Sequence, residues 1–555
     1  MNLEAVANPQ GLRLETVSFS QMPLQSELFL GFLDPSFPYT SNFWPNRDIP
    51  LTDFAGTALE RYETDRDELC DALLSENKGY GASTKTLGNI ERLRREDGVA
   101  VITGQQAGLF TGPAYTVYKA LSAVRIATDL CRKGLNAVPV FWIASEDHDF
   151  EEISIASFRR ADGGIWNAKI SAENSELGKP VGDIQIPARI ADVLKSLSAE
   201  LGVTRFSEET HAALKSSYRR GASLSSAFGR LMTVLLGRYG IVFVNPMNPG
   251  IRRLSAPIAA EAVERSNDVR NALYEQNQLL LDKGFHCQVK VEDGFLPLFA
   301  ISAEGKRKSL IEDLGSGLIR AKGQSLEYTK PELLDLIRSA PESVSPNALL
   351  RPVIQDFVFP TVCYVGGAAE ISYFAQNVSI YEVLERPVTP VRHRNGFTLL
   401  EPRHRRTLER YGLTVADLFR GFEAVLAVIA DREADSQTVT LLDEISERFG
   451  TSLDELAERF TAKDPGLADS AEKRKKKILW HISALKQKFL RAEATRDSDM
   501  IRRLEDLFET AMPGGVLQER KLSFVDILYR NGPNSLDWVF EAVSTEGNEH
   551  KCLYL

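Results

Sequence analysis

The 555-residue sequence has no long hydrophobic run. No stretch approaches the roughly 18 consecutive apolar residues that a membrane-spanning helix needs. The first residues, MNLEAVANPQGLRLE, also lack the basic flank and apolar core of a secretory signal. We therefore expect a cytoplasmic protein with no membrane partner.

Cysteine is scarce as well. The chain contains five, which lie far apart without a CxxC pair or a Cys/His knuckle: Cys70, Cys131, Cys287, Cys363 and Cys552. Disulfide frameworks and structural zinc sites both use closely patterned cysteines. The sequence therefore predicts neither kind of site.

An excess of positive charge is missing too, because the formal net charge is −10. A negative overall field repels nucleic acid and does not hold a protein on an anionic membrane. The basic run Lys473–Lys477 has acidic neighbours, so we interpret it as the solvated face of a helix. We expect no nucleic-acid partner.

Length and composition are those of an ordinary globular protein, with 43% hydrophobic and 26% charged residues. A chain of 555 residues is too long for one simple core, so two or three domains are expected. We place a Rossmann-like catalytic core at residues 1–400, an α-helical coiled-coil domain at 401–513 and a C-terminal module at 514–555.

The predicted core begins with a strand, VAVIT (99–103), a glycine-punctuated loop, GQQAGLFTGP, and a helix that ends near Gly134. A second strand, AVPVFWIAS (137–145), follows directly. Continuously apolar strands joined by a helix are typical of a βαβ unit in a parallel sheet. The same order recurs near residues 224–246 and 360–393, so the fold class is α/β.

Two segments interrupt this pattern, and we interpret them as inserts. Residues from about 154 to 215 alternate charged and small residues in short strand-like pieces, whereas 286–330 is typical of a β-meander. After Pro402, apolar residues spaced four and three apart predict long coiled-coil helices that Pro513 ends. Such a stripe suits either a hairpin within one chain or a coiled coil between two chains.

In an open parallel sheet, ligands bind beyond the carboxyl ends of the strands, so the loops there are the candidate binding sites. The loop after VAVIT places glycines where the backbone turns tightly, and a helix N-terminus follows that can seat an anion. Its spacing is neither Walker A nor GxGxxG, so a purely structural loop is an equal alternative. The candidate substrate- or nucleotide-binding residues here are Gly104, Gln105, Gln106, Thr111, Gly112 and Lys119.

The loop after AVPVFWIAS crowds five carboxylates around one imidazole in EDHDFEE (146–152). Such crowding is costly unless a cation, an ammonium group or a protonated histidine relieves it. The alternative is an acidic cap of the next helix. Oxygen and nitrogen ligands suit Mg²⁺ and Zn²⁺ alike, and the metal stays undetermined. The candidate catalytic residues are Glu146, Asp147, His148 and Asp149.

A third cluster surrounds the apolar run FVFPTVCYV. Arg351 has the fork geometry that binds a carboxylate, and Glu370 can hold an amine. Pairing of Arg351 with Asp356 inside the fold is the alternative. The candidate binding residues of this cluster are Arg351, Gln355, Asp356, Gly366, Gly367 and Glu370.

The segments ITGQQAGLFTGPAYTVYKA, PVFWIASEDHDFEEI, SPNALLRPVIQDFVFPTVCYVGGAAEISYFAQ and GGVLQER together resemble the BshC family, and the likeness spans nearly the whole chain. The resemblance implies a core similar to class I aminoacyl-tRNA synthetases, and a coiled coil that pairs two protomers. It also implies a ligase that joins cysteine to the amine of glucosaminyl malate, the last step of bacillithiol biosynthesis.

ATP is the expected co-substrate, with Mg²⁺ as a candidate companion ion, since a free carboxylate does not acylate an amine at neutral pH. The HIGH and KMSKS motifs of class I synthetases are absent, and so is a zinc-ligand set for the cysteine thiol. Two alternatives stay open. One is a non-catalytic nucleotide- or thiol-binding scaffold that dimerises through its coiled coil, and the weaker one is a tRNA-binding protein.

Overall fold

The computed structural model describes residues 12–323, 326–433, 436–461, 465–494 and 497–555. The chain divides into two compact units. The first contains residues up to 20, 24–399 and 517–555, and the second contains 21–23 and 400–516. No helix built from the described residues combines the length and apolar character that crossing a membrane requires.

The strands of the described residues, in chain order, are β1 (Arg13–Ser18), β2 (Gly98–Gln105), β3 (Asn136–Ile143), β4 (Ile155–Arg159), β5 (Ile165–Lys169), β6 (Val242–Val244), β7 (Phe295–Ile301), β8 (Arg307–Glu312), β9 (Ile319–Ala321), β10 (Glu327–Tyr328), β11 (Val344–Pro346), β12 (Thr361–Gly366), β13 (Val391–His393), β14 (Gly396–Leu400) and β15 (Glu549–Tyr554).

The α-helices of the first unit are α1 (Glu27–Leu33), α2 (Thr40–Phe43), α3 (Leu51–Glu60), α4 (Arg66–Tyr80), α5 (Thr84–Arg94), α6 (Tyr115–Arg132), α7 (Phe150–Ile153), α8 (Ile190–Leu201), α9 (Ser207–Ser217), α10 (Leu224–Leu236), α11 (Pro249–Glu264), α12 (Ser266–Asp282), α13 (Lys330–Ser339), α14 (Arg351–Val358) and α15 (Ala368–Val383). Those that follow, with the last three again in the first unit, are α16 (Pro402–Arg410), α17 (Val415–Leu418), α18 (Phe422–Glu433), α19 (Ser436–Thr461), α20 (Pro465–Ala494), α21 (Ser498–Ala511), α22 (Gln518–Lys521), α23 (Phe524–Asn531) and α24 (Asn534–Ala542).

A parallel five-stranded sheet forms the centre of the first unit, in the order β13-β12-β2-β3-β6. Its inner strands are buried on both faces, which explains why β2, β3 and β12 are continuously apolar in sequence. After β2, the chain first forms β3 and β6 on one side of it and later forms β12 and β13 on the other side. The strand order therefore reverses beside β2, and a crevice opens at such a point. The predicted α/β, Rossmann-like class is confirmed.

The insert at 286–330 supplies four strands of an antiparallel sheet, as the meander pattern predicts, and β11 from just beyond it completes the order β10-β9-β8-β7-β11. The strand-like interpretation of 154–215 is right only at its start, where β4 pairs with β5. Beyond residue 189 the segment forms α8 and α9. In α8 the apolar residues recur at helical spacing and are buried, and this burial outweighs the alternation of charged and small residues. They are Ile190, Leu194, Leu197 and Leu201.

A third sheet, in the order β1-β15-β14, corrects the predicted C-terminal boundary. The sequence suggests a separate module at 514–555, but Leu517–Leu555 belongs to the first unit. The physical reason is β15, which is the middle strand and pairs along its whole length with β1.

In the second unit, α19 and α20 form an antiparallel pair of helices. Asp454 pairs with Lys475, and Asp443 pairs with Lys486 at 2.7 Å, so residue numbers rise on one helix as they fall on the other. The predicted stripe lies on α20 and α21. Lys475 of the basic run is used in one of these ion pairs, as expected for a helix face.

Candidate functional site

A cavity of about 710 Å³ lies in the first unit at the carboxyl ends of β2, β3 and β12. The structure brings ten of the predicted residues to its wall: Gly104, Gln105, Gln106, Lys119, Glu146, Asp147, His148, Arg351, Gly367 and Glu370. It leaves six others outside the wall: Thr111, Gly112, Asp149, Gln355, Asp356 and Gly366. Strands β7, β8 and β11 of the antiparallel sheet contribute to the wall through Phe299, Arg307 and Pro346.

The first three residues of the GQQAGLFTGP loop face this cavity. A Cβ at Gly104 would lie 2.8 Å from the carbonyl oxygen of Trp142, so only glycine lets β2 approach β3 this closely. The Lys119 Nζ, which is 1% exposed, donates to the Gly104 carbonyl and, at 3.1 Å, to Gln105 Oε1. The Gln105 amide is thereby oriented with its NH₂ group toward Tyr115.

The second half of the loop does not form the anion seat that the sequence suggests. Thr111 is fully buried, and Gly112 adopts φ 65° behind the cavity wall. Phe110 packs edge-on against Tyr218, whose hydroxyl accepts from the Phe110 N–H at 2.8 Å. At the start of α6, the Ala114 N–H already donates to the Leu522 carbonyl at 2.8 Å. The second half of the loop is therefore part of the buried core and does not line a ligand site.

The acidic loop after β3 resolves into carboxylates with different partners. Glu146 is 6% exposed and pairs with Arg252 of α11 at 2.7 Å. Asp147 accepts from Gln106 Nε2 at 2.6 Å, and Arg307 lies 3.7 Å away. Burial raises the pKa of Asp147, but hydrogen bonds from His148 and Gln106 and the Arg307 charge outweigh it and hold the pKa below its usual range.

Three further residues of this loop have distinct positions. His148 is 42% exposed and lies beside the Phe299 ring, with 5.8 Å between ring centroids. Asp149 caps α7, since its carboxylate accepts from the Glu152 N–H at 3.1 Å. Glu152 faces the cavity and accepts from Gln106 Nε2 at 2.7 Å. The acidic-cap alternative therefore describes Asp149, whereas Glu152 joins the wall.

Arg351 is held by neutral groups. It donates to the Tyr373 hydroxyl at 2.8 Å and to Gln355 Oε1 at 3.0 Å. Asp356 does not pair with it, because the Asp356 carboxylate accepts from the Tyr381 hydroxyl in the interior. Burial raises the pKa of Asp356. The hydrogen-bond partners of the Arg351 guanidinium group are thus neutral, and the Glu370 carboxylate is close enough to act on its charge.

Glu370 is saturated by the protein itself. Its carboxylate accepts from Lys119 Nζ at 2.5 Å, from the Gly367 N–H at 2.7 Å and from the Tyr364 hydroxyl at 2.5 Å. Burial raises the pKa of Glu370, but these partners together hold it below its usual range. The predicted amine partner of Glu370 is therefore the ε-amino group of Lys119 in this structure.

Sequence reasoning missed several wall residues. Arg307 is 9% exposed and stacks on Phe299, 3.8 Å from the ring centroid. Arg394 forms a two-pronged bond with Glu519, at 2.6 and 3.0 Å. Arg520 is exposed at the wall. Two of them carried a usable signal: Arg394 directly follows the last strand of the parallel sheet, and Arg307 lies in the basic run KRKS (306–309), which suits a phosphate-binding loop as well as an exposed turn.

No three His, Cys, Asp or Glu side chains cluster as metal ligands would within the described ranges. After β3 the wall instead carries three carboxylates with Arg307 beside one of them, and around β12 it carries Arg351, Arg394 and the Lys119–Glu370 ion pair. These two strands flank β2, so their ends lie about 10 Å apart, which is two strand spacings.

Comparisons with known proteins agree with this architecture. Residues 12–395 match the family model for the N-terminal Rossmann-like domain of bacillithiol biosynthesis BshC, and 397–555 match its C-terminal coiled-coil domain. The chain belongs to the BshC family. The resemblance inferred from the sequence motifs is confirmed.

Relatives with the printed name "Putative cysteine ligase BshC" match over nearly the full length. The protein from Solibacter usitatus is 33% identical over 96% of this chain and 98% of its own. The one from Koribacter versatilis is 32% identical with the same coverage, and that from Salinibacter ruber is 31% identical over 95% of each chain. The family therefore places this chain in bacillithiol biosynthesis.

Proposed function

We propose that this protein is a ligase that joins the carboxyl group of cysteine to the amine of glucosaminyl malate to form bacillithiol. The observation that carries the proposal is the divided charge of the cavity. After β3, Glu152 has no cationic partner among the described residues and suits a substrate that arrives as an ammonium ion, whereas Arg351 near β12 suits carboxylates and phosphates. The choice of cysteine as one substrate is supported by the printed name of the relatives, which are called cysteine ligases.

Amide formation from a carboxylate needs activation, because its oxygen is a poor leaving group. We propose ATP, with its Mg²⁺, as the substrate that supplies this activation. Arg351 and Arg520 present guanidinium groups, and the first turn of the 16-residue helix α15 presents the N–H groups of Ala368 and Ala369 at the same wall. This position for phosphate replaces the α6 N-terminus.

Two further proposals concern the whole molecule. A homodimer through the second unit is supported by large apolar side chains exposed on α19 and α20: Leu441, Phe449, Leu456, Trp480 and Leu485. Apolar side chains that one chain leaves exposed on paired helices suit a second copy of the same helices. A cytoplasmic location is supported by the need for ATP.

The test is an assay of the purified full chain with cysteine, glucosaminyl malate and Mg-ATP. We expect bacillithiol by mass spectrometry, with no product when cysteine is omitted. AMP as the nucleotide product indicates an adenylate, and ADP indicates an acyl phosphate. Absence of both product and cysteine-dependent ATP turnover would contradict the proposal, and tight nucleotide binding without turnover would favour the scaffold.

A further inference from the structure

The carboxylates on the cavity wall differ in whether a cation already neutralises them. Four line the wall: Glu146, Asp147, Glu152 and Glu370. Three have a cationic partner in the structure: Glu146 with Arg252 at 2.7 Å, Asp147 with Arg307 at 3.7 Å, and Glu370 with Lys119 at 2.5 Å. Among the described residues, Glu152 alone of the four has none.

One hydrogen bond positions the Glu152 carboxylate and leaves its charge unneutralised. The Gln106 NH₂ group donates to Glu152 Oε2 at 2.7 Å and to Asp147 Oδ2 at 2.6 Å, so one amide fixes two carboxylates side by side. Oε1 of Glu152 is left for an incoming donor. The residue is exposed at the rim, where a proton it accepts can pass to water.

The geometry points to Glu152 as the catalytic base that binds the substrate ammonium group and removes its proton before acyl transfer. This inference rests on the proposed function. The ammonium proton moves to the Glu152 carboxylate. The freed nitrogen lone pair then forms the C–N bond to the cysteine carboxyl carbon, and the bond from that carbon to the phosphate-bearing oxygen breaks. The nucleoside triphosphate first places a phosphoryl or nucleotidyl group on one oxygen of the cysteine carboxylate, and that oxygen departs with phosphate or nucleoside monophosphate when the C–O bond breaks. The second proton of the attacking nitrogen passes to water.

The surroundings of Glu152 favour a base over a permanent anion. Burial raises the pKa of Glu152 and the charges of Asp147 and Asp149 add to that rise, whereas the Gln106 hydrogen bond opposes it. Burial raises the pKa of the nearby Tyr115 hydroxyl to about 12, and the Glu152 charge adds to that rise, so the hydroxyl stays neutral. Asp147, with its lowered pKa, is a much weaker base.

The decisive experiment compares Glu152→Gln with the wild type and with the matched control Glu151→Gln. Glu151 is exposed in the same turn of α7 and lies outside the cavity wall. We expect Glu152→Gln to lower kcat for bacillithiol formation by about 10²- to 10³-fold at pH 7. The deficit should shrink as pH rises, because the amine then loses its proton to water. Glu151→Gln should behave as the wild type.

A second arm separates the loss of a base from general damage. Hydroxylamine is already neutral at pH 7, so Glu152→Gln should transfer cysteine to hydroxylamine at the wild-type rate. Its Tm should stay within about 2 °C of the wild type, since the residue is exposed. A kcat within threefold of the wild type with an unchanged pH profile, or an equal loss with hydroxylamine, would overturn the assignment. A wild type without product overturns the proposed function instead.

Discussion

The loop after β3 and the start of α15 both point carboxylates into the same cavity, but their charges are used differently. At α15, Glu370 is saturated by Lys119, Gly367 and Tyr364. After β3, Glu152 has a single neutral hydrogen-bond partner. Charges that are neutralised inside the protein stabilise it, whereas an unpaired carboxylate is available for chemistry. A change at Glu370 should therefore alter stability first, and a change at Glu152 should alter turnover first.

The largest effect on stability is expected from Glu370→Gln. The substitution leaves the Lys119 ammonium group, which is 1% exposed, without its anion. Breaking a buried pair in this way costs about 3–5 kcal/mol of the free energy of unfolding. Urea unfolding of the variant and the wild type measures the loss.

The matched control for Glu370→Gln is the double variant Lys119→Met/Glu370→Met. Since it removes both charges, it should recover most of the stability that the single variant loses. A loss below about 1 kcal/mol in the single variant would mean that the Lys119–Glu370 pair stabilises the protein no more than an exposed surface ion pair does.

The second prediction concerns how stability depends on pH through His393, the last residue of β13, which directly precedes Arg394. Burial lowers the pKa of His393 to about 3, and the neighbouring Arg394 charge acts in the same direction. Between about pH 6.5 and 3 the unfolded chain binds a proton that the folded protein does not, so stability falls by about 1.4 kcal/mol per pH unit as pH decreases. Above about pH 6.5 the histidine is neutral in both the folded and the unfolded state, so it no longer makes the free energy of unfolding depend on pH.

His393→Phe should remove that slope, so its free energy of unfolding should vary less with pH between 6 and 4. Phe19→Leu is the control, because Phe19 packs edge-on against the His393 ring at 4.9 Å and does not titrate. The control should lower stability equally at each pH. An unchanged slope in His393→Phe would assign the acid sensitivity to other groups.

The smallest effect is expected from Asp149→Asn on the β3 side. Asparagine caps a helix as well as aspartate does, and Asp149 uses its side chain to accept from the Glu152 N–H. Stability should change by less than about 0.5 kcal/mol and turnover by less than about twofold. Thermal unfolding and steady-state rates measure both. A tenfold loss of turnover would restore the catalytic role that the sequence suggests for Asp149.

The parallel sheet and the edge that carries the site could be predicted from the sequence because both depend on local patterns. Continuous burial makes β2, β3 and β12 visible as apolar runs. The rule that ligands bind beyond the carboxyl ends of strands then selects the loops after them. Ten of the sixteen predicted residues reach the cavity wall for this reason.

The pairing of charges could not be predicted, because it joins distant parts of the chain. Glu146 pairs with Arg252, and Arg394 pairs with Glu519 beyond an intervening helical unit. The sequence shows five carboxylates after β3 as equals. Only tertiary contacts show that, of the three that line the cavity, Glu152 is the one without a cationic partner among the described residues. The burial of Thr111 had the same origin, since Tyr218 and Ser523 lie far from it in sequence.

The return of the chain to the first unit has a consequence for how the protein is made. A ribosome releases β1 and the parallel sheet long before residues 517–555, which supply Glu519 for Arg394 and strand β15 for β1. Until those residues emerge, a guanidinium group and a strand edge of the nascent first unit stay without partners. The site is therefore completed only after residues 517–555 have been translated, so a chain that stops before them cannot hold a finished cavity.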